Sequence, residues 1–218
     1  MNTSRRRAIF TAAGVLAVLT ATALYVWGIM YKPAYGSSPV VNPWAVVSST
    51  PNHVTVRLDI LPAIGYGQHS DWIGYTAPDH QHSPNILKLP AHALVTMEIH
   101  NYDSRTDLRN HFFTLVQGVV GGSEQVTPYK GTPTTVKVMN PNLTSHTFTI
   151  PDLGVSVPME GVGDTAPATA YVTMKFTFRT PGPGKYRWQC IVPCGFGLYG
   201  FGGPMQTFGY MDGLLVVH

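Results

Sequence analysis

Phe178-Arg179-Thr180-Pro181-Gly182-Pro183-Gly184-Lys185-Tyr186-Arg187-Trp188-Gln189-Cys190-Ile191-Val192-Pro193-Cys194 decides how this chain is read. A β-rich run over 170–177 enters it. The Pro-Gly-Pro-Gly cluster forces a tight turn, and 185–189 returns as a second strand that delivers the cysteines at its end. Working outward, further β-type runs recur over 53–60, 86–89, 94–101, 112–119, 134–139, 146–150 and 213–217, separated by turn clusters such as Gly121-Gly122-Ser123. Helical periods are almost absent after His53. Many short strands at regular spacing predict an all-β Greek-key barrel or sandwich.

Cys190 and Cys194 are the only cysteines, and upstream a single histidine sits in the β-type segment Ser145-His146-Thr147-Phe148-Thr149-Ile150-Pro151. Imidazole and soft thiolates brought together from two strand edges suit copper, and a rigid sheet holds such ligands in place. The alternative for the cysteines is a Cys190–Cys194 disulfide, the default outcome for a close pair outside the cytoplasm. So small a loop gains little from chain entropy.

The N-terminus reads Arg5-Arg6-Arg7 and then runs from Ala8 to Tyr31 without a charge, ending at Lys32. About 20 apolar residues cross a bilayer as a helix. Arginines on the leading side place that side in the cytoplasm, and Tyr25, Trp27 and Tyr31 fit an interfacial belt on the far side. Residues 1–32 are therefore expected to form a cytoplasmic start and one transmembrane helix, 33–52 a Pro- and Ser-rich linker, and 53–218 a single extracytoplasmic domain. Ala21-Thr22-Ala23 offers a rival, cleaved-leader reading, and Arg6-Arg7 weakly resembles a twin-arginine signal. The apolar run continues well past that site, which favours the anchor.

Charged residues make up 11% of the 218 residues and the net charge is +3, against roughly a quarter charged in an average domain. No basic run follows residue 7, so a nucleic-acid partner is not expected. A sparsely charged exterior fits either packing against partner subunits or an acidic medium. No phosphate-cradling glycine pattern, nucleophile elbow or H-E-x-x-H is present.

A family resemblance rests on these residues. Pro90-Ala91 ahead of the strand at 94–101, the stretch from Ser145 to Val155, and the approach from Phe178 to Cys190 resemble the cupredoxin domain of subunit II of haem–copper oxidases. The resemblance covers about 84–217, with an insertion near 104–133 that the family usually lacks. It implies a binuclear copper site of pattern C-x3-C-x3-H-x2-M plus an upstream histidine. His146, Cys190 and Cys194 match by position, and Val192 would offer a backbone carbonyl. The downstream slots hold Leu198 and Phe201. A second register takes Met211, just before the last strand, as the methionine, with Phe208 in the histidine slot and a glycine-rich insertion over 195–209. In either register the loop lacks its histidine.

Three outcomes follow for the site. Copper binds with a missing ligand supplied by His111 or a partner chain; a mononuclear centre of His146, one cysteine and Met211 survives; or the thiols are oxidised and copper is absent. Elsewhere, His69, His80 and His82 near Asp71 and Asp79 form a second metal candidate, although loop histidines are usually just solvated. Trp72 and Tyr75 occupy the place where the family keeps an electron-entry aromatic cluster, with packing as the plainer account. Met159, Met174 and Met205 read as filler.

The resemblance implies a membrane-anchored, extracytoplasmic electron-transfer subunit of a respiratory complex. Its partners would be integral membrane subunits and either an electron-donor protein or a quinol-using partner, and another subunit would act on oxygen. Without copper the domain would serve in docking. A free-standing, membrane-tethered copper-binding or copper-delivery protein is the alternative.

Overall fold

The computed structural model describes residue 16 and residues 18–22, 45–50, 52–84 and 86–218. The chain divides into two units, 1–38 and 39–218. In the first, the described residues are helical. Most of the expected membrane anchor lies outside the described residues. Among those residues no helix is long and apolar enough to cross a membrane.

The second unit is built from two β-sheets. The first sheet has the order β1 (Val46–Thr50), β2 (His53–Leu61), β5 (Leu94–Asn101), β10 (Val172–Arg179), β6 (Glu124–Thr127), β7 (Thr134–Val136), with β3 (Gly74–Thr76) also on β2. The second has the order β4 (Ile86–Leu89), β12 (Asp212–Val217), β11 (Gly184–Gln189), β8 (Thr144–Ile150), β9 (Val155–Glu160). Pairing is antiparallel except for β2 with β5 and β4 with β12. The two sheets make a sandwich.

Sequence pattern and burial agree along β10. Val172, Met174, Phe176 and Phe178 point inward while Lys175 and Arg179 are exposed, the period-two alternation of a strand with one wet face. Tyr75, Phe148, Phe176 and Trp188 meet in the core, with Trp188 packed edge-on to Tyr75 at 5.2 Å and stacked with Phe148 at 5.5 Å between ring centres. At Gly213, directly opposite Trp188 on β12, a Cβ would collide with the indole. Only a hydrogen there lets the largest core side chain lie flat across its neighbour strand.

Strand β8 is buried along its whole length, so both of its faces must be covered. The chain after β5 does this on one side. Thr106 N donates to Thr144 O at 3.1 Å, Leu108 N to Pro141 O at 2.9 Å, and Gln117 and Ser156 exchange both backbone bonds. The stretch read from sequence as an insertion is thus laid against the sheet that carries His146.

The structure departs from the sequence expectations in four places. The predicted strand at 112–119 is a 3-10 turn, His111–Thr114, followed by isolated bridges at Leu115 and Gln117. The Asn110 side chain accepts the Phe112 N–H and caps that turn, and Gly118 at φ +70 breaks extension. Strand β9 was not expected. It carries Pro158, tolerated because β9 is an edge strand. Strands β3 and β6, both short, were not expected either. Finally, the stretch read as a linker includes β1, paired with β2 through Thr50 opposite His53.

Candidate metal centre

His146 and the cysteines reach each other because three strand ends meet. Gln189 at the end of β11 pairs with Thr149 of β8. Beyond it, Cys190 N donates to Met211 O at 2.8 Å, and Ile191 N donates to the Thr147 hydroxyl at 2.9 Å. The Tyr75 hydroxyl holds the same residue from behind by donating to Thr147 O at 3.0 Å. The turn after β11 is therefore fastened to β8 on one side and to the approach to β12 on the other.

His146 Nδ1 lies 3.9 Å from Cys190 Sγ, and Cys194 Sγ lies 3.3 Å from Cys190 Sγ. All three donor atoms fall within 4.8 Å of one another. Both cysteines are free thiols, Cys190 fully buried and Cys194 partly exposed. Val192 O, the carbonyl singled out from the sequence, lies 3.4 Å from Cys190 Sγ. Among the described residues this is the one group of three or more His, Cys, Asp or Glu side chains arranged to hold a metal ion.

Asp103 is a residue the sequence reading did not find. Its Oδ2 sits 2.9 Å from His146 Nε2, which turns the other ring nitrogen toward the sulfurs. A carboxylate behind a ligating imidazole fixes tautomer and orientation. Asp103 follows β5 and opens the inserted stretch, whose next residue, Ser104, bridges to Val162. Nothing in its local sequence marks it, since it lies 43 residues from His146.

The electrostatics follow from this geometry. Burial opposes a charge on His146, but the hydrogen bonds to Asp103 and Cys190 overcome it and lift the imidazole from 6.5 to about 9. Cys190 is likewise opposed by burial, yet Cys194 and His146 hold its thiol well below the ordinary value. Cys194, hydrogen-bonded to that sulfur, is pushed well above it. The metal-free site therefore stores one thiolate, shared between two sulfurs, against one imidazolium backed by a carboxylate. A metal cation displaces the protons and takes over the same negative charge. Soft sulfur donors, an imidazole and a rigid strand-end frame fit copper.

Of the other candidates, Met211 is fully buried, with its backbone against Cys190 and its N–H donating to Pro204 O at 3.1 Å. His111 is exposed and is not part of the group. Leu198 and Phe201 are exposed on the glycine-rich loop. The second metal candidate does not assemble: His69 stacks on Trp72 at 3.7 Å, His80 bonds Asp59 and His82 bonds Asp79, each at 2.6 Å. Trp72 also packs edge-on to Phe196 and Tyr210, and with Phe196 it borders a small surface depression that reaches Cys194. Tyr75 is instead a core residue.

No family model matches the chain, and no curated protein matches it. Among solved structures, the chain is similar to auracyanin B, with 18% identity over 80% of this chain and 94% of that one at a TM-score of 0.32. It is similar to a heme-copper terminal oxidase dimer structure, with 12% identity over 99% of both chains at 0.31. It is also similar to rusticyanin from Thiobacillus ferrooxidans, with 15% identity over 80% and 86% at 0.34.

Proposed function

We propose that this chain is a membrane-anchored, extracytoplasmic cupredoxin-like protein that holds copper at His146, Cys190 and Cys194, completed by a methionine thioether, which is Met211 in the register read from the sequence. In this reading it passes electrons within a respiratory membrane complex, in the manner of an oxidase subunit II. The single observation that carries the copper assignment is the convergence of one imidazole nitrogen and two thiol sulfurs within 4.8 Å at the end of a β-sandwich.

The protein's own groups have three tasks. Cys190 and Cys194 supply thiolate charge and His146 supplies the imidazole, held in orientation by Asp103. The hydrogen bonds from Ile191 N to the Thr147 hydroxyl and from Cys190 N to Met211 O limit how far the ligands move. When bound, copper supplies a one-electron redox couple. A stiff ligand frame suits that task because little has to rearrange on transfer.

Membership of a complex is supported by the surface beside the site. Phe196, Leu198, Tyr199 and Phe201 are all exposed on one glycine-rich loop. Anchoring is supported by the charge-free run from Ala8 to Tyr31. The test is purification of the full chain with metal analysis, absorption and electron spin resonance. His146→Ala is expected to abolish the visible copper band while the β-fold persists. An unchanged spectrum in that variant excludes His146 as a ligand.

A further inference from the structure

The site described above has two thiolates and one imidazole, and the sequence places no second histidine in the cysteine loop. We infer that Met205, on the glycine-rich loop after the cysteines, supplies the missing donor as a thioether ligand on the Cys194 side. This inference rests on the copper reading and deepens it.

The positions that would carry a histidine or methionine in the shorter register are spent elsewhere. Leu198 is 79% exposed and Phe201 44% exposed, so both side chains face solvent. Among the described residues no further His, Asp or Glu atom joins the group formed by His146, Cys190 and Cys194. Met205 behaves differently. It is 2% exposed, and its sulfur lies 3.4 Å from Cys194 N, which donates to it. The amide nitrogen and sulfur of one cysteine are three bonds apart, about 3–4 Å from each other according to rotamer. The Met205 thioether is therefore beside the exposed edge of the cysteine pair.

The backbone around Met205 is held for this placement. Met205 lies in the 3-10 turn Gly203–Gln206. Its carbonyl accepts from Gln189 Nε2 at 2.6 Å, one residue before Cys190, and Pro204 O accepts from Met211 N at 3.1 Å. Upstream, the loop folds onto itself: Gly195 N donates to Gly200 O, and Gly202 N to Phe196 O. A Cβ at Gly195 would strike Gly202 O, so this closure needs glycine. The folded loop brings a methionine 11 residues downstream back onto Cys194. Backbone restraint combined with a flexible, unbranched side chain lets the sulfur adjust to an incoming ion.

The donor set then reads His146 Nδ1, Cys190 Sγ, Cys194 Sγ and Met205 Sδ, with Met205 in place of Met211. Three sulfurs and one imidazole favour a soft monovalent cation, Cu(I), over harder divalent ions. Met205 replaces an imidazole by a neutral thioether, keeping the charge of the ligand set unchanged.

The experiment uses the full chain with its methionines replaced by selenomethionine, loaded with Cu(I) under reducing conditions. Selenium and copper X-ray absorption are read on the wild type, Met205→Leu and Met211→Leu, with circular dichroism as the fold check. A selenium–copper path at bonding distance is expected in the wild type, retained in Met211→Leu and lost in Met205→Leu. Retention in a folded Met205→Leu protein overturns the inference, as does its absence from Met211→Leu, which carries the test alone if Met205→Leu fails to fold. Bound copper with no selenium neighbour overturns the Met205 assignment alone. A wild type that binds no copper overturns the copper reading and this inference with it.

Discussion

Removing the carboxylate behind His146 isolates the contribution of a residue that never touches the metal. His146 is 1% exposed in its side chain, and Asp103 Oδ2 lies 2.9 Å from Nε2. The rise of the imidazole from 6.5 to about 9 corresponds to about 3 kcal/mol in favour of the protonated ring. Asp103 contributes as a hydrogen-bond partner of a charged group, about 1.5–3 kcal/mol, part of which only offsets the burial that opposes the charge. Because the folded protein raises this group, the stabilisation is present below pH 6.5 and is lost as pH rises through about 9. At its acid end it requires the Cys190 thiolate, which persists until pH falls through that thiol's lowered value. Between pH 6.5 and about 9 Cys190 works in the opposite sense, since its lowered thiol is ionised in the folded chain while the unfolded thiol still holds its proton. The two slopes oppose, so metal-free wild type should be nearly level over that window, with Asp103→Ala less stable by about 1.5–3 kcal/mol at pH 7, read from urea midpoints at fixed m. In the copper-loaded protein the same variant should weaken Cu(I) competition affinity about 10- to 100-fold, with Asp103→Asn, which keeps an acceptor, in between. Wild-type stability at pH 7 in Asp103→Ala, together with unchanged copper affinity, refutes the orienting role.

Other perturbations probe the frame and the buried charges. Thr147→Val leaves the half-buried Ile191 N–H without its acceptor; it should cost about 1 kcal/mol and broaden the copper signal, and an unaltered denaturation midpoint would count against the fastening described. Gly213→Ala drives a methyl into the Trp188 indole and should destabilise by about 1–3 kcal/mol, with loss of near-ultraviolet circular dichroism. Glu124 is buried with neither carboxylate oxygen bonded, and burial pushes its carboxyl well above the usual range. The fold thus prefers this group neutral, so wild type should lose stability as pH rises above about 4.5. Glu124→Gln should remove that slope, checked by thermal melts from pH 4 to 7; an identical slope in the variant contradicts it.

The strand pattern was legible where local chemistry was unambiguous. The expected bounds of β4 and β5 coincide with those observed, and β10 and β11 differ by one or two residues at their ends, because alternation and the Pro181–Gly184 turn leave little freedom. The run at 112–119 misled because hydrophobic composition alone does not supply a pairing partner. Its Phe112 and Leu115 end up exposed. β9 was hidden by Pro158 and β1 by its setting in a Pro- and Ser-rich stretch. His146, Cys190 and Cys194 were readable because their residue types are chemically rare and their strands nameable. Asp103 and Met205 were not. Each reaches the site through a loop whose path is set by long-range backbone bonds rather than by local spacing.

The direct test of the account is copper stoichiometry paired with a free-thiol count on the purified, reduced protein. Copper bound at the site, with the partly exposed Cys194 protected from alkylation in the loaded form and reactive once copper is removed, and two free thiols counted after denaturation, is the expected result. Cysteines that alkylate at the same rate with and without added Cu(I), and no metal retained after desalting, would contradict it.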